Sequence, residues 1–100
     1  MTAAAQELEG LQHQLQALRA ALAADDDAGA AELMQAHDQD LRHYLDTHGT
    51  AARPALTELL QRQNEAMDDL RARREAASQA LRDGRRSRHA ARAYLRAGAL

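Results

Sequence analysis

The stretch LEGLQHQLQALRAAL, residues 8–22, decides the fold. Leu8, Leu11, Leu15, Leu18 and Leu22 return at steps of three, four, three and four, two apolar residues in every seven. That rhythm draws an apolar seam along one side of a helix. Upstream, Thr2 suits the N-cap, with Gln6 and Glu7 near the first turn. Downstream, Asp25-Asp26-Asp27-Ala28-Gly29 ends the pattern. Three adjacent carboxylates oppose the dipole at a helix C-terminus, but Asp26 or Asp27 can cap the helix that follows. The first helix is therefore expected from about residue 2 to 24.

A second helix is expected from about residue 28 to 47, with Ala30, Met34, His37, Leu41, Tyr44 and His48 on one stripe, widened by Leu33 and Leu45. His48-Gly49-Thr50-Ala51-Ala52-Arg53 reads as a connector. Gly49 fits a C-terminal cap and Pro54 the first turn of the next helix. The third helix is expected from about residue 54 to 97. Its stripe takes in Leu60, Met67, Leu70, Ala77, Leu81, Gly84, Ala91 and Leu95, is interrupted by Arg74 and Arg88, and is weakened by Gln63. At 1.5 Å per residue such a helix reaches about 65 Å, against about 35 Å for the first. Either it extends well past its neighbours or it breaks near Asp83-Gly84. A Gly inside a helix costs roughly 1 kcal/mol relative to Ala, which permits a break without demanding one, and a continuous or mildly bent helix is expected.

The seams of the first two helices last only about three heptads, too short for a sustained coiled coil. The expected architecture is all-α: a short antiparallel three-helix bundle with a long C-terminal helix, bent or broken at Gly84 if anywhere, in a single domain over residues 1–100. Composition agrees. The chain has 25 Ala and 15 Leu and no Val, Ile, Phe, Trp, Cys or Lys. Ala, Leu, Arg, Gln and Glu favour helices, and the β-branched and aromatic residues of strands are nearly absent. A core of Leu and Ala without large rings is thin, since burying a Leu contributes roughly 1.5–3 kcal/mol and an Ala far less. Some gain from self-association or a partner is expected.

Charge is uneven. Residues 1–50 carry nine acids against two Arg, net −7; residues 51–100 carry six acids against eleven Arg, net +5. Arg85, Arg88, Arg92 and Arg96 recur at steps of three, four and four as a basic ridge, with Arg86 on its flank. The ridge can face carboxylates of the first two helices or of a partner. Nucleic acid is disfavoured by overall acidity, by the lack of stacking aromatics and by the absence of helix-turn-helix spacing. No apolar run approaches the roughly 20 residues a membrane span needs, and the N-terminus lacks the basic-then-apolar order of a secretory signal. A cytoplasmic location is expected.

No catalytic or metal constellation stands out. His37, His43 and His48 lie six, five and eleven apart, not the four that brings two imidazoles to one zinc ion. The aspartate run lacks the alternation, Gly and terminal Glu of a calcium loop. Ser78 and Ser87 lie in a helical, Arg-rich stretch without an elbow or oxyanion donors. No enzyme activity and no cofactor are expected. Asn64, with Gln63 beside the seam, is a polar feature inside the bundle of the kind that fixes register. Tyr94 can cover a helix end or anchor an interface.

Two stretches carry a family likeness. One is Leu15 through Ala28, LQALRAALAADDDA, followed by Leu33 and Leu41. The other is Gln63-Asn64-Glu65-Ala66-Met67 with Leu70, Leu81, Gly84 and Arg88, closing on Ala93-Tyr94. Together they resemble the FliT-type flagellar export chaperones, small all-helical bacterial proteins. The resemblance implies a chaperone that holds a disordered segment of the filament-cap protein and contacts components of the export ATPase complex. It places client binding on Asn64, Met67, Leu70, Ala77, Leu81 and Tyr94, with Leu95 beside them on the apolar stripe. A helical-bundle protein acting only through homodimerisation is the alternative.

Overall fold

Leucine-rich seams and well-chosen caps produce three helices in the computed structural model, which describes residues 2–98: α1 at Ala3–Ala23, α2 at Asp27–His48 and α3 at Arg53–Arg96. Thr2 caps α1, its Oγ1 accepting the Ala5 N–H at 3.1 Å. Asp26 caps α2, its Oδ1 accepting the Gly29 N–H at 2.9 Å. Both are the short oxygen-bearing side chains that satisfy the orphan amides of a first turn. Between the caps, Asp25 takes a left-handed φ of 58°. The Asp26 N–H donates to the Ala21 carbonyl at 2.9 Å and the Asp25 N–H to the Leu22 carbonyl at 3.0 Å. This is the Schellman closure of a helix end, with an aspartate where glycine is usual. Gly49 ends α2 with a φ of 70°.

α3 runs through Gly84 without a break in its helical assignment. Among the described residues there is no strand. The chain divides into two compact units, residues 1–70 and residues 71–100, with the boundary inside α3. That boundary falls where the buried seam of α3 ends, at Leu70. Residues 1, 99 and 100, within the expected bounds, lie outside the described residues.

The first unit holds the core, in two clusters. One joins Leu11 and Leu15 of α1, Leu41 and Tyr44 of α2, and Leu56 and Leu59 of α3. The other joins Leu18 and Leu22 of α1, Ala30 and Met34 of α2, and Ala66 and Leu70 of α3. Each helix contributes at the two-per-seven rhythm. Small residues in the second cluster, Ala30 and Ala66, limit the area it removes from water. Tyr44 is buried with its ring 5.0 Å from that of His48 and tilted by 48°.

Candidate binding surface and the polar layer

The residues expected to hold a client fall on both sides of the unit boundary. In the first unit Asn64 is exposed, Met67 is half-buried against the second core cluster, and Leu70 is 3% exposed. Leu70 is therefore core and cannot anchor a client without opening the fold: it closes the cluster with Leu18 and Leu22. The polar seam position is also reassigned. Gln63 is the buried residue, whereas Asn64 faces solvent, because the buried line of α3 is Leu56, Leu59, Gln63, Ala66 and Leu70. Leu60, one position off that line, is exposed and shares a shallow depression with Leu45, Leu56 and Thr57, rimmed by Arg53.

In the second unit the other four residues are exposed together: Ala77, Leu81, Tyr94 and Leu95, the three large ones at 61%, 58% and 56%. Arg85, Arg88, Arg92 and Arg96 are exposed beside them. Residues 71–100 carry nine Arg against two acids, net +7, while residues 1–70 carry thirteen acids against four Arg, net −9. The two acids of the second unit are engaged early in it. Glu75 pairs with Arg82 at 3.1 Å, and Asp83 accepts from the Gln79 amide at 3.0 Å. Beyond them, no acidic side chain stands three or four residues from Arg85, Arg88, Arg92 or Arg96. Arg85 and Arg88, Arg88 and Arg92, and Arg92 and Arg96 are then like-charge neighbours, each pair unfavourable by a few tenths of a kcal/mol. Position near a helix C-terminus offsets part of this, and Arg96 donates from Nε to the Arg92 carbonyl at 3.4 Å. The Arg88 guanidinium lies over Gly84, 3.6 Å from where a Cβ would stand, which leaves that glycine half-buried.

Between the two core clusters of the first unit lies a polar layer, one residue from each helix: Gln14, His37 and Gln63. His37 has no exposed surface. Its Nδ1–H donates to Gln14 Oε1 at 3.3 Å, and the Gln14 amide donates to Asp40 Oδ2 at 2.5 Å. Burial pushes the His37 pKa down, opposed by the charges of Asp40 and Asp38 and by the Gln63 amide. No hydrogen bond closes on the far side of the ring, where His37 Nε2 and Gln63 Oε1 are both buried and unpartnered. With the Nδ1–H tautomer both atoms are acceptors, so they cannot satisfy each other. Leaving such groups unmade costs on the order of 1–3 kcal/mol each. The sequence places His37 on the stripe of α2, but nothing in it shows that the side chain is sealed.

Among the described residues there is no group of three metal-ligating side chains, and no helix is long and apolar enough to cross a membrane. No family model, no curated protein and no solved structure matches the chain.

Proposed function

We propose that the chain is a polypeptide-binding chaperone without catalytic activity, and that residues 77–95 of α3 present its client-binding face. The observation that carries the reading is the exposure of Leu81 and Leu95 along one line of α3, with Tyr94 exposed on another side of the same stretch, while the large apolar residues of α1 and α2 are buried or half-buried. An apolar helix face of this kind is covered in groove-and-helix recognition by a partner helix with anchors at i, i+3, i+4 and i+7. In this reading residues 1–70 are an antiparallel three-helix bundle. Support comes from the pairing of the start of α1 with the end of α2 and the start of α3 in one cluster, and of the end of α1 with the start of α2 and Leu70 in the other.

The particular role follows the resemblance to the FliT-type family through Asn64-Glu65 and Ala93-Tyr94. It is that of a cytoplasmic flagellar export chaperone, which holds a disordered helical segment of a filament-cap-type client and hands it to the export ATPase complex. Ordering that segment offsets part of the gain, so affinity is moderate. The test is titration of the full chain with a filament-cap protein, beside its Leu81→Asp variant. At least about tenfold weaker binding by the variant, at unchanged far-UV circular dichroism, is expected. A stable dimer in sedimentation that buries residues 77–95 and takes no client would replace this reading with homodimerisation.

A further inference from the structure

Residues 81–95 of α3 have a regular layout. Leu81, Arg88 and Leu95 stand seven apart and so share one helical line, about 21 Å from end to end. Arg85, three residues before Arg88, and Arg92, four after it, lie along one edge of that line. All five side chains are exposed. The surface is thus two leucine anchors with three guanidinium groups in the turns between them, and the one acid of its own unit within a turn of any of the three is Asp83, two residues before Arg85, which accepts from the Gln79 amide.

We infer that the face recognises an acidic amphipathic helix, one that sets two apolar residues against Leu81 and Leu95 and a row of carboxylates against Arg85, Arg88 and Arg92. The inference rests on the reading of residues 77–95 as a client face and specifies what the client must look like. Four observations select this occupant. The Arg row is self-repelling along the helix, and a partner's carboxylates remove that repulsion while forming charge-assisted, bidentate pairs. A second copy of the same stretch is disfavoured, because it would bring one +4 segment, residues 81–95, against another. The first unit of a second copy has the right sign, at −9, but among its described residues Leu60 is the one exposed large apolar side chain, the rest being buried or half-buried, so it offers no pair of exposed anchors to Leu81 and Leu95 together. A nucleic-acid backbone would satisfy the guanidinium groups but leave both leucines in water, and the stretch has only His89 and Tyr94 for base stacking.

The guanidinium row also supplies direction. Arg88 is folded back over Gly84, so its charge sits toward the Leu81 end of the line. A partner helix whose carboxylates are biased to one end therefore docks in one orientation.

The test is fluorescence anisotropy of the full chain against a labelled amphipathic peptide carrying leucines fourteen residues apart with three glutamates between them. A second peptide has the glutamates replaced by glutamine. Saturable binding of the glutamate peptide is expected, weakened at least about tenfold by the glutamine replacement, by high salt, or by the triple change Arg85→Glu, Arg88→Glu and Arg92→Glu. A lysine version of the peptide should bind the triple variant better than the parent chain. Circular dichroism of the triple variant separates loss of the site from loss of the helix. If both peptides bind equally and Leu81→Asp abolishes the binding, the apolar client face stands and its acidic specificity falls. If neither peptide binds and the chain forms a dimer burying residues 77–95, both fail. Steeply salt-dependent retention of a DNA duplex without peptide binding would overturn the inference in favour of a polyanion site.

Discussion

In residues 1–70 the two-per-seven rhythm leaves Leu18 with no exposed surface, yet in residues 71–98 the same rhythm leaves Leu81 and Leu95 more than half exposed. Both regions use the same small alphabet of Ala, Leu, Arg and Gln. The first pairs its arginines with acids, across helices in Arg19–Glu65 at 2.9 Å and along one helix in Arg42–Asp38 and Arg62–Glu58, whereas the second runs short of acids after Asp83. The contrast separates two properties that a periodic sequence tends to merge. Spacing says which side chains share a face. Whether that face is covered depends on what else the chain supplies, and this chain supplies cover only as far as Leu70.

The sharpest way to break the comparison is to truncate one leucine in each region. Leu18→Ala leaves a void among Leu22, Ala30, Met34, Ala66 and Leu70 and should cost about 3 kcal/mol, with a fall of more than 10 °C in Tm. Leu81→Ala should stay within about 0.5 kcal/mol. Equal costs in thermal unfolding would mean that Leu81 is packed and that the contrast is false.

A smaller effect sharpens the account of the covered region. Burial holds the His37 pKa below its ordinary value, so the folded chain keeps this imidazole neutral while the unfolded chain protonates near pH 6.5. The unfolded state then binds the extra proton. Stability is fully present above about pH 6.5 and is lost as pH falls below it, with a slope of at most about 1.4 kcal/mol per pH unit for one proton. Replacing His37 with the non-titrating amide of glutamine should flatten the Tm profile between pH 7 and 5 relative to the parent. An unchanged profile would show that His37 does not set the acid sensitivity.

The smallest effect lies at the turn between α1 and α2. Asp25 holds a φ of 58° that costs a residue with a Cβ more than it costs glycine. Asp25→Gly should therefore raise stability by about 0.5–1 kcal/mol, read as a few degrees in Tm, without changing the second unit. A loss would show that the aspartate side chain, and not the backbone, holds the turn.

Much of the fold was legible because caps and seams are local. Thr2, Asp26 and Gly49 carry out at the helix ends what their chemistry favours, and the third helix continues through Gly84 because one glycine among alanines and arginines costs too little to break it. The seam of α3 was harder to read. Leu60 is as large as Leu59 and Met67 is larger than Ala66, so the stripe was drawn one position aside at both places, yet the buried line is Leu56, Leu59, Gln63, Ala66 and Leu70. Size misled where register decided. The steps of three and four from Leu56 were the available signal, hidden by a polar residue in the middle. Of the candidate surface, Leu81, Tyr94 and Leu95 could be placed on one exposed stretch, but Leu70 could not be told from them, since nothing local marks where cover ends.

Tyr44 and Tyr94 are the chain's only tyrosines, and it has no tryptophan. One ring is sealed against His48 and the other stands in water at the far end of the contrast. The intrinsic ultraviolet emission is thus a two-channel signal. Removing the Tyr44 phenol leaves a chain that reports, without any attached dye, on whatever settles over residues 77–95.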